Sequence, residues 1–395
     1  MGPRLDSRRF DAAAFALALT LRLAFLAVWQ WKGLGDVYGR DLYYYLAQAW
    51  LGWKPMPVFD ATHPPLYTMF LAAVLGLFRS PNPLPVLVLQ CLFGAACVPL
   101  LRRLGARLVD EPTSRRAALL LAVDPALIFF APLLQTETFF IILELGFFFF
   151  LLKLLDEPLS WRHAALGLWG GLCALCRSVF GAYPAFLFLA LWRTRGFGRA
   201  FAFCALLGVG WFVPAIAWTS RNYVKYGQLV PMSAQMGWTL YEGFTLDREE
   251  VARRPYDMAV ETGRLGITSN MDAGRYFMAK TKAFVRAHPL SAARIVVGKA
   301  FLFWRPIPYA PHAWWQRAGL GAYYLVLFAL ALAGASAVRR FPAWAPIWAL
   351  FAYLTAAHSV FFTELRYRLP LDPFLCVLAA AGLAVLARVW ERGRA

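Results

Sequence analysis

The sequence predicts an all-α, polytopic membrane helical bundle of about ten transmembrane helices, with further juxtamembrane helices lying on the outer membrane surface. Three observations predict it. The chain is 60% hydrophobic and only 16% charged, with a mean hydropathy of +0.53, too apolar for a domain whose surface must stay wet. Stretches such as 139–152 and 371–386 are apolar all round and lack the polar rhythm of a soluble amphipathic helix. The basic residues fall in short clusters between these runs, the pattern that sets membrane orientation. They do not form one stripe, so a net charge of +18 does not indicate a nucleic-acid surface.

Taken in order, Arg4, Arg8 and Arg9 precede the apolar run 10–31, which is long enough to span and ends in no small-residue cleavage pattern. It reads as a retained first anchor with a cytoplasmic N-terminus. The outer loop 32–83 that follows is polar and aromatic, with Asp36, Arg40, Asp41, Tyr43, Tyr44, Tyr45, Asp60 and His63. Its apolar stretch 66–78 is short for a crossing of roughly 20 residues. Counting it as a crossing would also place Arg102, Arg103, Arg107, Arg115 and Arg116 outside, against the positive-inside rule. The segment 64–79 is therefore expected to lie on the outer surface, and 84–101 to be the second span.

From there the charges alternate. Span 117–133 runs outward, 138–152 inward to Lys153 and Arg162, and 163–177 outward to Arg177; 179–192 returns to Arg193, Arg195 and Arg199, and 200–218 leads out. The long segment 220–318 then begins and ends outside, so its apolar helix 290–304, with Arg294 and Lys299, is expected to be interfacial; long translocated loops are largely exempt from the charge rule. Span 320–338 returns to Arg339 and Arg340, 343–360 goes out, and 370–387 comes back to Arg388, Arg392 and Arg394, leaving both termini cytoplasmic. All six cysteines fall inside these spans and read as small core residues, the Cys173–Cys176 pair included.

The expected outer ends of the spans hold the chemistry. Asp36 and Asp41 lie in the first loop and Glu137 in the second, and carboxylates at a membrane surface need partners or a function. Asp41 opens a helical pattern with Tyr45, Ala49 and Gly52 and is equally placed to cap that helix. Glu137 is likewise placed to stabilise a helix N-terminus, and Glu144 points into the membrane, either as a buried hydrogen-bonding partner or as an assembly contact. His63 precedes Pro64 and Pro65, which stiffen the backbone and hold an imidazole at headgroup level. Arg177, the pair Arg221 and Asn222, and the run Arg366, Tyr367, Arg368 put cations and donors at the outer ends of three further helices. Singly each reads as an interfacial anchor; together with the acids they suit a phosphate, which guanidinium grips bidentately.

Five motifs, GDVYGRDLYYYLAQAWLGW at 35–53, HPPLY at 63–67, DPALIFFAPLLQTE at 124–137, RNYVKYG at 221–227 and ELRYRLPLDP at 364–373, together resemble the GT-C superfamily of polyprenyl-phosphate-sugar glycosyltransferases. The resemblance is to the family 39 and 83 branch, which includes protein O-mannosyltransferases and lipid A aminoarabinose transferases. It implies that 1–219 is a catalytic transmembrane module, 220–318 an outer-face segment, and 319–395 a set of C-terminal transmembrane helices. It implies a first-loop aspartate as general base, Asp41 or its rival Asp36; the branch often carries adjacent acids there, and their separation in this chain leaves the choice open. Glu137 matches the family's second-loop acid, and His63 the loop cation that contacts the donor phosphate.

The implied reaction transfers a sugar from a polyprenyl monophosphate to the hydroxyl of a glycan, lipid or protein at the outer face, inverting the anomeric carbon. The base must reach the acceptor proton, and Arg177, Arg366 and His63 would stabilise the phosphate that leaves. No cofactor is required; a divalent cation is compatible, although the sequence has no dense cluster of metal ligands. Two other classes compete. A lipid-linked sugar transporter or flippase would place its charges at mid-membrane within internal repeats, and a structural envelope subunit would leave the carboxylates without a role.

Overall fold

A computed structural model describes residues 3–33, 42–57, 60–244, 257–307 and 314–392, and all regular secondary structure among them is helical. The helices are α1 (Pro3–Trp31), α2 (Leu42–Trp50), α3 (Pro65–Phe78), α4 (Leu84–Gly105), α5 (Glu111–Ala122), α6 (Pro125–Phe130), α7 (Thr136–Leu154), α8 (Trp161–Cys176) and α9 (Tyr183–Arg195). They continue as α10 (Phe197–Tyr226), α11 (Met236–Gly243), α12 (257–264), α13 (Asn270–Ala287), α14 (Pro289–Phe303), α15 (Trp314–Val338), α16 (Ala345–Val360) and α17 (Asp372–Arg392). This is a multi-pass membrane protein. Among the described residues five helical stretches are long and apolar enough to cross a bilayer: Asp6–Trp31, Leu84–Gly105, Phe197–Tyr226, Trp314–Val338 and Leu365–Arg392.

Helices α7, α8, α9 and α16 stand where four further crossings were expected, and α9, with 13 residues, is about 20 Å long against a hydrocarbon core of roughly 30 Å. The expected single helix over 117–133 is broken. Pro125 pushes Asp124 into extended backbone, and the Asp124 carboxylate then caps α6 by accepting from the Leu127 N–H at 2.9 Å. The two expected surface segments do form helices, as α3 and α14.

Close packing depends on glycine where two helix pairs nearly touch. A Cβ at Gly167 on α8 would lie 1.8 Å from the Leu207 carbonyl oxygen on α10, and one at Gly210 would lie 1.8 Å from that of Ala164. The same approach joins α15 to α17, where a Cβ at Gly334 would sit 1.9 Å from the Leu378 oxygen. Lipid offers no hydrophobic drive for helix association, so backbone approach of this kind is what holds such pairs together.

The charged residues gather at the helix ends. At the expected cytoplasmic end the buried Asp11 of α1 accepts from Arg102 at 2.5 Å and pairs with Arg103 at 3.2 Å; Arg102 also meets Glu111 at 2.8 Å, and Arg115 meets Asp6 at 2.6 Å, tying α1, α4 and α5 together. Deeper in the bundle, Tyr323 and Tyr324 of α15 donate to Asp124 at 2.8 Å and to Asp372 at 2.7 Å, and the buried Arg368 lies over the Tyr324 ring at 4.2 Å. Arg22 of α1 and Glu144 of α7 are instead buried in mid-helix, and the N-terminus of α7 and the C-terminal ends of α8, α10 and α16 carry the polar groups that compose the candidate site.

Candidate functional site

Helix α7 begins at Thr136, so Glu137 falls in its first turn, where the unpaired N–H groups favour a carboxylate. That turn is inside the protein: Glu137 is 2% exposed and Arg177 8%. Arg177 caps the C-terminus of α8, and its Nη1 lies 3.5 Å from Glu137 Oε1. The Arg177 guanidinium lies 5.7 Å from the Phe140 ring centroid and 5.5 Å from that of Tyr367, which fixes it as a planar cation between two aromatic faces.

The turn after α16 brings a second guanidinium. Arg366 Nη1 lies 3.5 Å from Gln135 Oε1, its Nη2 donates to the Tyr367 hydroxyl at 3.0 Å, and its Nε lies 3.0 Å from Glu364 Oε2. Tyr367 in turn stacks on His358 at 4.8 Å, and His358 on Phe303 of α14 at 5.5 Å. Four residues singled out from sequence, Glu137, Arg177, Arg366 and Tyr367, thus form one group. Seven residues further along α7, Glu144 is fully buried, and both of its carboxylate oxygens lack a hydrogen-bond partner.

His63 joins this neighbourhood through aromatic contacts. Its ring stacks on Tyr43 at 4.5 Å, Tyr43 meets Tyr67 edge-on at 5.3 Å, and Tyr67 donates to Gln90 at 2.5 Å. Gln90 then donates to the Leu133 carbonyl at 2.5 Å, two residues before Gln135. The Pro65 start of α3 and the approach to Glu137 are therefore held by one chain of contacts. Asp36 and Asp41, the two first-loop acids, lie outside the described residues.

Arg221 and Asn222 belong to a second group, centred on Asp60. Arg221 grips the buried Asp60 carboxylate with both guanidinium nitrogens, at 2.8 and 2.6 Å; Lys225 reaches it at 3.0 Å and Trp50 Nε1 at 3.2 Å, while the Tyr226 hydroxyl donates to it as well. Asn222 spends its amide on the Val230 carbonyl at 3.1 Å. Burial alone would raise the Asp60 pKa, but the hydrogen bonds from Arg221, Tyr226 and Lys225 outweigh it and hold the carboxyl well below the usual carboxylate range. The sequence reading placed Asp60 in the first loop without a role; Lys225 stands four residues after Arg221 on the same face of α10, a helical spacing that flags the pair.

Lys299 is a further buried cation, close enough to act electrostatically on His358. Its ammonium donates to the Gly243 carbonyl at 2.7 Å and the Val360 carbonyl at 3.1 Å, and burial pushes its pKa down to about 7. Among the described residues no three His, Cys, Asp or Glu side chains converge as a metal site.

Residues 62–218 match the model of the dolichyl-phosphate-mannose-protein mannosyltransferase family, a stretch that holds His63, Glu137 and Arg177. No curated protein matches the chain at a significant level. Among solved structures the chain is similar to the archaeal oligosaccharyltransferase AglB from Archaeoglobus fulgidus in complex with an inhibitory peptide and a dolichol-phosphate, at 14% identity and a TM-score of 0.57, over 98% of this chain and 52% of that one. The apo form of the Archaeoglobus fulgidus oligosaccharyltransferase gives the same TM-score of 0.57 and 14% identity over 97% of this chain. The chain thus spans about half the length of these relatives. The likeness shows that this chain shares the fold of the helical part of those structures.

Proposed function

We propose that this protein transfers a sugar from a polyprenyl-phosphate donor to an acceptor hydroxyl at the extracytoplasmic membrane face, with inversion. The observation that carries the reading is the group formed by the buried Glu137 and Arg177 with the half-buried Arg366 and its partner Glu364, two guanidiniums held in place by two carboxylates at the ends of separate helices. A departing phosphate monoester gains negative charge, and fixed cations in a site shielded from water stabilise it without reorganising. Support for the donor class comes from the family model matched over 62–218, whose description names a dolichyl-phosphate sugar, and from the dolichol-phosphate bound to a protein of the same fold.

In this reading a first-loop aspartate, Asp41 or Asp36, takes the acceptor proton as the hydroxyl attacks the anomeric carbon. Arg177, Arg366 and His63 receive the phosphate, and Tyr367 steadies Arg366. Glu137 holds Arg177 in place and balances part of the cationic charge while the site is empty of donor. Arg221 and Asn222 act at one remove: Arg221, clamped on Asp60, fixes the turn that leads into His63 and α3, and Asn222 accepts from Arg221 at 2.9 Å and steadies it. Residues 1–219 form the catalytic module, with both chain termini on the cytoplasmic side.

The test is a proteoliposome assay with a labelled polyprenyl-phosphate sugar and a membrane extract as acceptor. Transfer predicts that label moves to acceptor while unglycosylated polyprenyl phosphate accumulates in equal amount. Movement of intact donor between leaflets, with no polyprenyl phosphate formed, would make the protein a transporter.

A further inference from the structure

A cavity lies along α10, on the other side of the α8 C-terminus from the Glu137 group. It has a volume of about 560 Å³ and is lined by Trp50, Met56 and Asp60 before α3, Met69 of α3, Leu175 of α8, and Pro214, Ala217, Trp218, Arg221 and Lys225 of α10. The α8 C-terminus divides the two: Leu175 lines the cavity, whereas Arg177, two residues on, reaches Glu137. The five α10 residues recur at helical spacing on one face, so the cavity is a trough running along that helix.

The trough is polarised. One wall is apolar, formed by Leu175, Pro214, Ala217 and Trp218 with Met69 at its rim, and its charged groups sit at the last turns of α10. There Arg221 and Lys225 face a single carboxylate, Asp60, which leaves one unit of positive charge. Arg221 is fixed by its bidentate grip on Asp60 and by the Trp218 ring at 4.7 Å, while Lys225, with Nζ 3.0 Å from Asp60 and an exposed side chain, can turn to a ligand. Beside the trough, Val213 and Ile216 on the same candidate span are exposed apolar residues, and Met56 and Met69 at its rim are exposed too. An apolar slot parallel to a membrane-spanning helix, open toward lipid and closed at the membrane edge by net positive charge, has the shape and polarity of a lipid standing in its leaflet.

We propose that this trough receives the acceptor, and that the acceptor is a membrane lipid with an anionic headgroup, its chain along Met69, Leu175, Pro214 and Ala217 and its anion at Lys225. The proposal rests on the sugar-transfer reading for the word acceptor, and on the trough alone for the lipid. The donor has its own cations, Arg177 and Arg366, on the far side of the α8 terminus, so the two substrates approach from opposite sides.

The experiment uses the full chain in nanodiscs with photoactivatable phosphatidylglycerol or phosphatidylcholine carrying a diazirine on the acyl chain, and maps adducts by peptide mass spectrometry. Adducts at Met56, Met69 and Ala217 are expected from phosphatidylglycerol about tenfold more often than from phosphatidylcholine, as one charge-assisted contact would give. Lys225→Gln is expected to erase the preference. Ala217→Trp, which fills the slot without touching a charge, is expected to abolish trough adducts while those on Val213 and Ile216 persist; Met69→Trp serves the same purpose should Ala217→Trp fail to fold. Glu137→Gln is expected to retain trough labelling while transfer is lost, so failure of the transfer reading and failure of the lipid site give different results. Equal labelling by the two lipids, unchanged labelling in both tryptophan variants, or displacement of phosphatidylglycerol by unlabelled polyprenyl phosphate would overturn the proposal.

Discussion

Removing both members of the Glu137–Arg177 pair should cost less stability than the two single removals added together. Glu137 is 2% exposed and Arg177 8%, and their closest atoms are 3.5 Å apart. A lone charge left buried costs about 3–5 kcal/mol. The separation is at the outer limit of a hydrogen bond, and Arg366 also acts electrostatically on Glu137, so Arg177→Met should fall at the lower end of that range. Glu137→Gln leaves Arg177 buried between Phe140 and Tyr367 with no carboxylate, and should cost a similar amount. The double variant Glu137→Gln/Arg177→Met buries no orphaned charge. It should be more stable than the sum of the single changes implies, with a coupling of about 1–3 kcal/mol. The assay is thermal unfolding of the four detergent-solubilised proteins as a double-mutant cycle. Strictly additive losses would mean that the two side chains do not sense each other, and would remove the pair as the frame of the site.

The other polar groups make separate predictions. Asp60 has a lowered pKa, so its contribution to stability is complete above the usual carboxylate range and is lost as pH falls below it; Asp60→Asn should flatten the decline of unfolding temperature between about pH 5 and pH 2. Lys299 has a pKa lowered to about 7, so the unfolded chain holds a proton that the folded chain gives up above that pH; wild type should gain stability from pH 7 to pH 10, and Lys299→Met should not, as denaturant titrations at each pH will report. Gly167→Leu forces a side chain onto the Leu207 carbonyl, where even a Cβ would lie 1.8 Å away; it should destabilise the α8–α10 pair by at least about 1–3 kcal/mol in thermal unfolding and displace Arg177 with it.

Much of this fold is legible because lipid imposes a simple pattern on sequence. The runs now seen as α1, α4, α10, α15 and α17 announce themselves by length and uniform apolarity, and 64–79, expected from the charge rule to lie on the surface, forms the short helix α3. Asp124–Pro125 was a visible stop signal inside 117–133, but the apolar residues on either side masked it. Of the candidate site, Glu137, Arg177, Arg366 and Tyr367 were recognisable as helix-end residues, and the structure brings them together. The partnership of Asp60 with Arg221 was not recognisable, since 161 residues separate them and only the fold closes that distance. The same holds for Lys299, which seemed a surface cation of α14 and proves to be buried against the carbonyls of Gly243 and Val360.

The central claim is sugar transfer dependent on outer-face acids, and it is tested most directly by reconstituting wild type, Asp41→Asn, Asp36→Asn and Glu137→Gln with radiolabelled polyprenyl-phosphate sugars and acceptor membranes. Label in the acceptor is expected with wild type, near-complete loss in one of the two first-loop variants, and a strong reduction in Glu137→Gln. Transfer at the wild-type rate in all three acid variants would contradict that claim.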